Sequence, residues 1–536
     1  MIFISLKISL LILKSYLTMT KTKSTLVIIL ILFVSSSYSE SNCKAWIIFN
    51  KKNSTNFKPL EYFHPNTIAK RINSGISLNQ FSDLPVDENY ILQISEKVSS
   101  IKSISRWLNG ICVVGDSLQI ASLQKQFPFI SGIYFVNKHQ QKSVCVNAEK
   151  KIPYSEKLRL LQMKLMHESY FDSIKLSGKE VIIAVFDGGF PDVDKHEAFN
   201  YLNSNKRILN CYNFVTKDEN VYKSINHGTA VLSNIAGIKN EKKIGLAIDS
   251  KFLLAVTEEI AETFSEEENW LAAAEWADKN GADIINCSLG YTNSRYFQTQ
   301  MNGSFSLVAK AANIAASKGI LCFISAGNEG TNSWKFIATP ADADSAITVG
   351  GIDPKTKLHY SFSSYGLAEN KKTKPNIVAP GSSMVAKPNN KYGIMFGTSF
   401  SSPLAVGFAA CVLEQNPTLK GKPMELKKLL EENASLFPYY DLANGYGELM
   451  PKDLKQKSIS DSASFELSKT NEEIIITPKS VAFNNEYLYW KLINENGEII
   501  HYAVVKIENS NSFSIVKTNA KRIEIFYKGY YFRENL

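Results

Sequence analysis

Six consecutive apolar residues, Val181-Ile182-Ile183-Ala184-Val185-Phe186, run directly into Asp187-Gly188-Gly189. A strand that turns neither face to water reads as an unbroken apolar run, and such strands belong to parallel sheets covered by helices on both sides. Parallel strands need long crossovers, so strands and helices should alternate through the surrounding chain. They do. Phe252 to Val256, Ile284 to Ser288, Ile320 to Ser325 and Ile347 to Val349 are further apolar strand candidates. Between them, Glu267 to Lys279 and Phe305 to Lys318 carry helical patterning, closed by Gly281 and Gly319 as C-terminal stops. Repeated helix–glycine–strand units predict an α/β domain over residues 151–455, a mostly parallel sheet with helices on both faces.

The flanks follow other rules. Lys21 and Lys23 precede the apolar run Leu26 to Val34, and small residues follow as far as Ser37-Tyr38-Ser39. That is the layout of an export signal cleaved after Ser39, with an apolar stretch too short to span a bilayer. Residues 1–39 are therefore set aside, with Met19 as an alternative start because the first 18 residues repeat a weaker apolar pattern. Glu40-Ser41-Asn42 ahead of Cys43 is too polar for a lipoprotein cleavage box, so the expected destination is the medium or the cell surface.

Residues 40–150 mix short elements: a strand at Ala45 to Phe49, a helix or strand edge at Asn89 to Ile94, and a strand at Trp107 to Val114. Ser117 then caps a helix over Leu118 to Phe127, and Ile130 to Val136 gives another strand. This predicts a small α+β domain, with a charged linker from Val144 to Ser155. Residues 456–536 alternate apolar and polar positions around turns such as Asn494 to Glu498, predicting a small β-sandwich-like domain.

Composition excludes some functions. The net charge of +9 is modest for 536 residues, and no basic stripe is interleaved with aromatics, which argues against nucleic acid. The seven cysteines form no CxxC pair, which argues against a zinc ribbon or a dithiol redox site. Cys287, Cys322 and Cys411 lie in apolar runs and read as core; Cys43, Cys112, Cys145 and Cys211 could pair in an oxidising compartment, in no readable order.

In a parallel sheet, reactive groups collect at the carboxyl ends of the strands. Asp187 is placed there, although an aspartate before two glycines also suits a turn. His227 opens a helix in Asn226-His227-Gly228-Thr229-Ala230, where a histidine can equally be structural. Asn328 follows a strand in Ser325-Ala326-Gly327-Asn328, where asparagine also serves turns. Ser399 lies in Gly397-Thr398-Ser399-Phe400-Ser401-Ser402-Pro403, at the mouth of a small-residue helix that it could simply cap. Taken together they suit one chemistry. Serine attacks at neutral pH only with a base in reach and an orienter behind that base. Asp187, His227 and Ser399 supply orienter, base and nucleophile, and Asn328 an amide donor for a developing oxyanion.

These stretches resemble the three signatures of the subtilisin-like serine peptidases (subtilases, peptidase family S8), in that family's order of Asp, His and Ser. Further similar segments are Ser288-Leu289-Gly290, Ile347-Thr348-Val349-Gly350, Phe362 to Gly366 and Lys374 to Gly381. The resemblance implies a secreted serine endopeptidase made as a zymogen. Ser399 would attack a peptide carbonyl, His227 would carry the proton, and Asp187 would fix the imidazole tautomer. Asn328 and the Ser399 N–H would form the oxyanion hole, and Ser288, Leu289 and Gly290 would pair with an extended protein or peptide substrate. By the same resemblance, residues 40–150 would be a propeptide that inhibits its own enzyme, removed between Val144 and Tyr154, and the enzyme a monomer.

The sequence departs from the family in places. Gly188 replaces the usual Ser or Thr after the catalytic Asp, and Asn376 stands where an Asp is usual, a position read as structural. No cofactor is implied; calcium sites are frequent in the family, but no Asp-rich loop here is specific enough to assign one. The C-terminal domain resembles the sorting domains of some bacterial secreted peptidases without their lysine-containing close, and a surface-binding module is an equal alternative. The competing reading for the whole chain is a catalytically silent subtilase-like scaffold that binds peptides or surfaces. An esterase of the α/β-hydrolase type is ruled out, because Ser399 lacks a Gly-x-Ser-x-Gly elbow and the residue order differs.

Overall fold

A computed structural model describes residues 42–52, 56–136, 155–223, 225–259, 265–367, 372–479, 486–508 and 512–536. The export signal, Cys145 and the proposed processing window before Ser155 lie outside these residues. The chain divides into two compact units, the smaller built from residues up to Lys51 together with Val86–Ile104 and Gly110–Val136.

The smaller unit is an antiparallel sheet of β1 (Asn42–Phe49), β2 (Ser100–Ser105), β3 (Gly110–Asp116) and β4 (Ile130–Phe135), in the order β2-β3-β1-β4. Helices α1 (Glu88–Ser95) and α2 (Ser117–Gln126) complete it. Its core gathers Ala45, Ile47, Phe49, Ile111, Val113 and Leu123. This is the expected α+β pattern with two local corrections. Asp116, not Ser117, caps α2, its carboxylate accepting from Gln119 N at 2.8 Å, because Ser117 is already the first helical residue. Trp107 to Asn109 form a turn ahead of β3, with Asn109 in a left-handed conformation at φ 53°.

The larger unit is organised by seven parallel strands: β5 (Ile182–Asp187), β6 (Ile208–Asn213), β7 (Lys251–Val256), β8 (Ile284–Cys287), β9 (Leu321–Ser325), β10 (Ile347–Ile352) and β11 (Ile377–Pro380). They lie in the order β11-β10-β9-β8-β5-β7-β6, every neighbouring pair parallel. The chain winds from β5 to one edge and then to the other, so β5 sits at the point where winding reverses, where α/β sheets open a crevice. All six residues of β5 are buried, as its apolar run requires. The edge strand β6 was not foreseen, because Ile208-Leu209-Asn210-Cys211-Tyr212-Asn213 is half exposed and has no apolar run to announce it.

Four helices matter for the site: α3 (His227–Ala236), α4 (Ser265–Lys279), α5 (Leu307–Ser317) and α6 (Thr398–Gln415). α3 is buried along its whole length, and α6 is buried from Phe400 to Leu413. Both are rich in Ala, Gly and Ser, which is what lets a helix pack with no face to water. Gly407 shows the closeness: a Cβ there would come within 3.3 Å of Leu246 N.

The segments Lys52–Pro85 and Ser105–Asn109 also belong to this unit, and charge holds them to it. The Arg71 guanidinium bridges Asp83 at 2.7 Å and Asp278 of α4 at 2.5 Å, while Lys318 reaches Asp83 at 2.6 Å; all four side chains are buried. Glu275 of α4 accepts from Ser105 Oγ at 2.5 Å and from the N–H groups of Arg106 and Trp107. At the C-terminal end, a three-stranded and a four-stranded sheet enclose one core that includes Ile474, Leu488, Leu492, Ile515 and Ile525, the sandwich expected there. Lys491 joins it to the α/β part, pairing with Glu524 at 2.9 Å and donating to Tyr440 O at 2.6 Å.

Candidate active site

Asp187 is the last residue of β5 and has no exposed surface. Its main chain is pinned by Thr257 N–H, which donates to Asp187 O at 3.0 Å. The following turn puts Gly189 at φ +149°, where a Cβ would fall 2.4 Å from Lys223 O, so only glycine fits. Without a Ser or Thr hydroxyl at the next position, Asp187 Oδ1 keeps the backbone donor there, Gly188 N–H at 2.7 Å.

His227 begins α3 and points its Nδ1 at both Asp187 oxygens, 3.0 Å from Oδ1 and 2.9 Å from Oδ2. Burial lowers the imidazole's affinity for a proton, but the Asp187 charge and hydrogen bond outweigh it and hold His227 above its ordinary value. The ring lies 5.6 Å from that of Phe400, the residue after Ser399.

Ser399 sits in the first turn of α6, behind Gly397 at φ +143°. Its hydroxyl donates to the carbonyl of Ser288 at 3.2 Å rather than to the imidazole. Asn328, exposed beyond the end of β9, accepts from Thr398 N at 2.9 Å and Thr398 Oγ1 at 3.1 Å through its Oδ1. With that oxygen turned toward Thr398, the amide NH₂ is the end left to meet a ligand. Ser288, Leu289 and Gly290 continue β8 beyond its carboxyl end, Ser288 buried, Leu289 half-buried and Gly290 exposed. Adjacent parallel strands thus deliver Asp187, Ser288 and Asn328 to one rim, and the two buried helices bring His227 and Ser399 up to it.

Sequence reasoning passed over the Thr398 clamp and a set of buried acids, while it read Asn376 as structural. Thr398 clamps the Gly327-Asn328 turn, its Oγ1 accepting from Gly327 N at 3.2 Å and sharing its one proton between Gly327 O and Asn328 Oδ1, each at 3.1 Å. Asn376 accepts from Thr348 N at 2.7 Å and donates to Glu431 Oε1 at 2.7 Å, the structural role expected of it. Just past the ends of β7 and β8, Glu258 accepts from Tyr291 Oη at 2.9 Å, and Glu266 and Glu267 pair with Arg295 at 2.5 and 3.3 Å. These acids are buried, and burial together with the charge of Glu266 raises Glu258 well above the usual carboxyl range. In sequence, Glu266 to Glu268 look like a solvated helix start. Among the described residues, no group of three His, Cys, Asp or Glu side chains is placed to hold a metal ion.

Residues 178–462 match the family model described as Subtilase family, Peptidase S8, and residues 44–151 match the Peptidase S8 propeptide domain of Bacteroidota. The chain is 27% identical over 330 residues to Subtilisin NAT of Bacillus subtilis subsp. natto, covering 61% of this chain and 76% of that protein. It is 31% identical over 247 residues to Subtilisin of Bacillus pumilus, covering 45% and 80%. Among solved structures, fervidolysin from Fervidobacterium pennivorans, a keratinolytic enzyme related to subtilisin, aligns at a TM-score of 0.54 and 18% identity, over 91% of this chain and 71% of that one.

Proposed function

The chain belongs to the subtilase family, Peptidase S8, and on that premise we propose that it is a secreted endopeptidase that cuts peptide bonds through Ser399, His227 and Asp187. It is a serine-type peptidase with a propeptide domain, and protein substrates follow from that class. The observation that carries the residue assignment is the buried Asp187–His227 pair, placed beside the first turn of α6. Asp187 accepts from Nδ1, which leaves Nε2 as the base. The Ser399 hydroxyl leaves the Ser288 carbonyl for that nitrogen when substrate enters, and attacks the scissile carbonyl. The oxyanion then meets the Asn328 NH₂ and the Ser399 N–H. An acyl-enzyme follows, and His227 returns the proton to the leaving amine before water repeats the sequence in reverse.

Residues 40–150 act as a temporary inhibitor and folding aid, separated by a cut before Tyr154. Fluorophosphonate labelling of the processed protein, read by peptide mass spectrometry, tests the assignment. An adduct on Ser399 that is absent from Ser399→Ala is the expected result. Processed protein that takes no label would overturn it in favour of a silent peptide-binding scaffold.

A further inference from the structure

Pro403 lies inside α6, four residues after Ser399. An ordinary residue there would donate its N–H to the carbonyl of Ser399; proline has none to give, so the ladder leaves that carbonyl open. The structure fills the gap from the neighbouring strand. Ser288 Oγ donates to Ser399 O at 2.8 Å. The same Ser288 Oγ accepts from Asn286 Nδ2 at 3.2 Å, and Asn286 Oδ1 accepts from Ser402 Oγ at 2.9 Å. Asn286 is fully buried in β8, Ser402 is fully buried in α6, and Ser288 is 4% exposed. The Asn286 amide makes both bonds in one orientation only, so its flip would break the chain at two points.

We propose that the side chains of Ser288 and Asn286 are positioning residues for the nucleophile, fastening the main chain of Ser399 to the rim strand at the carbonyl that Pro403 leaves unpaired. Two links then join Ser288 and Ser399. The Ser399 hydroxyl rests on the Ser288 carbonyl at 3.2 Å and is free to turn away, while the Ser288 hydroxyl holds the Ser399 backbone and does not need to move. The regular helical ladder cannot supply this tie, because Pro403 has no N–H to give. Displacement of a nucleophile by a fraction of an ångström is costly, because attack needs atoms aligned near contact distance.

This inference rests on the assignment of Ser399 as nucleophile, and the test separates the two. In the full chain, after processing, rates of fluorophosphonate labelling and kcat and KM on a peptide substrate are compared among wild type, Ser288→Ala and Ser288→Thr. The backbone that would pair with substrate is unchanged, so the expected result is a loss of about 10-fold or more in kcat and labelling rate with little change in KM. Threonine keeps the hydroxyl and should restore most of it. Pro403→Ala supplies the missing N–H, so Ser288→Ala should cost less in that background. Should Ser288→Ala fail to fold, Ser402→Ala loosens the far end of the chain and should lower kcat about 3-fold with KM unchanged. Wild type that labels at Ser399 while Ser288→Ala labels equally fast would overturn the positioning role alone. Wild type that takes no label would overturn the nucleophile assignment, and this inference with it.

Discussion

The imidazole of His227 faces the carboxylate of Asp187 squarely, its Nδ1 within 3.0 Å of both oxygens, in a site where Asp187 has no exposed surface. Burial pulls the imidazole's proton affinity down and Asp187 lifts it further up, leaving it raised above 6.5. A base must be neutral to accept a proton, so kcat/KM should climb through an acid limb centred above pH 6.5. Asp187→Asn should lower kcat by about 10⁴-fold and move that limb toward acid, since only the burial effect would remain. A pH–rate profile of both proteins checks this. Stability has the opposite slope: the raised value favours the folded state most below the ordinary imidazole range, and the contribution fades as pH rises through the raised value.

Ser399→Ala should accumulate as a chain that still carries residues 44–151, whereas wild type should be recovered with an N-terminus between Val144 and Tyr154. Intact mass and N-terminal sequencing of the exported protein decide it. A wild-type protein beginning near Glu40 would show that the cut is not made.

Arg71→Met removes the cation that two buried carboxylates share, and with it the direct ion pair of Asp278. Breaking a buried pair from one side costs about 3–5 kcal/mol. Urea unfolding of the uncleaved Ser399→Ala precursor, with and without Arg71→Met, should show that loss. Arg71→Lys should recover only part of it, since an ammonium cannot span both carboxylates as the guanidinium fork does.

Lys374→Met should destabilise the α/β part by roughly 2–5 kcal/mol. The buried ammonium donates to Ala343 O at 2.7 Å, Ala346 O at 2.9 Å and Thr348 Oγ1 at 2.9 Å, all near the end of the strand that pairs with Asn376. Methionine fills the volume and leaves these oxygens without a donor. Thermal denaturation of Ser399→Ala precursors carrying either residue measures the difference without self-digestion.

The parts of this molecule that sequence makes visible are those whose physics is local. Val181 to Phe186 must be a doubly covered strand, and Asp187 must then stand at its carboxyl end. Gly281 and Gly319, at φ +93° and +88°, close α4 and α5 where their positions along the chain predict. What stayed hidden depends on partners distant in sequence. Arg71, Asp83 and Lys318 look like ordinary surface charges until Arg71 reaches Asp278 and Lys318 reaches Asp83 from distant parts of the chain. Glu266 is read as solvated until Arg295 arrives to neutralise it. The hydroxyl of Ser288 could be assigned to nothing before the carbonyl left open by Pro403 came within 2.8 Å.

A helix with no side facing solvent from Phe400 to Leu413 has a practical corollary. The residue assigned to attack the substrate stands directly before that enclosed stretch, on the same helix, so it has little private flexibility to lose first. Heating should therefore extinguish turnover and melt the interior together, along one curve, where an enzyme with its nucleophile on a surface loop would fall silent while still folded.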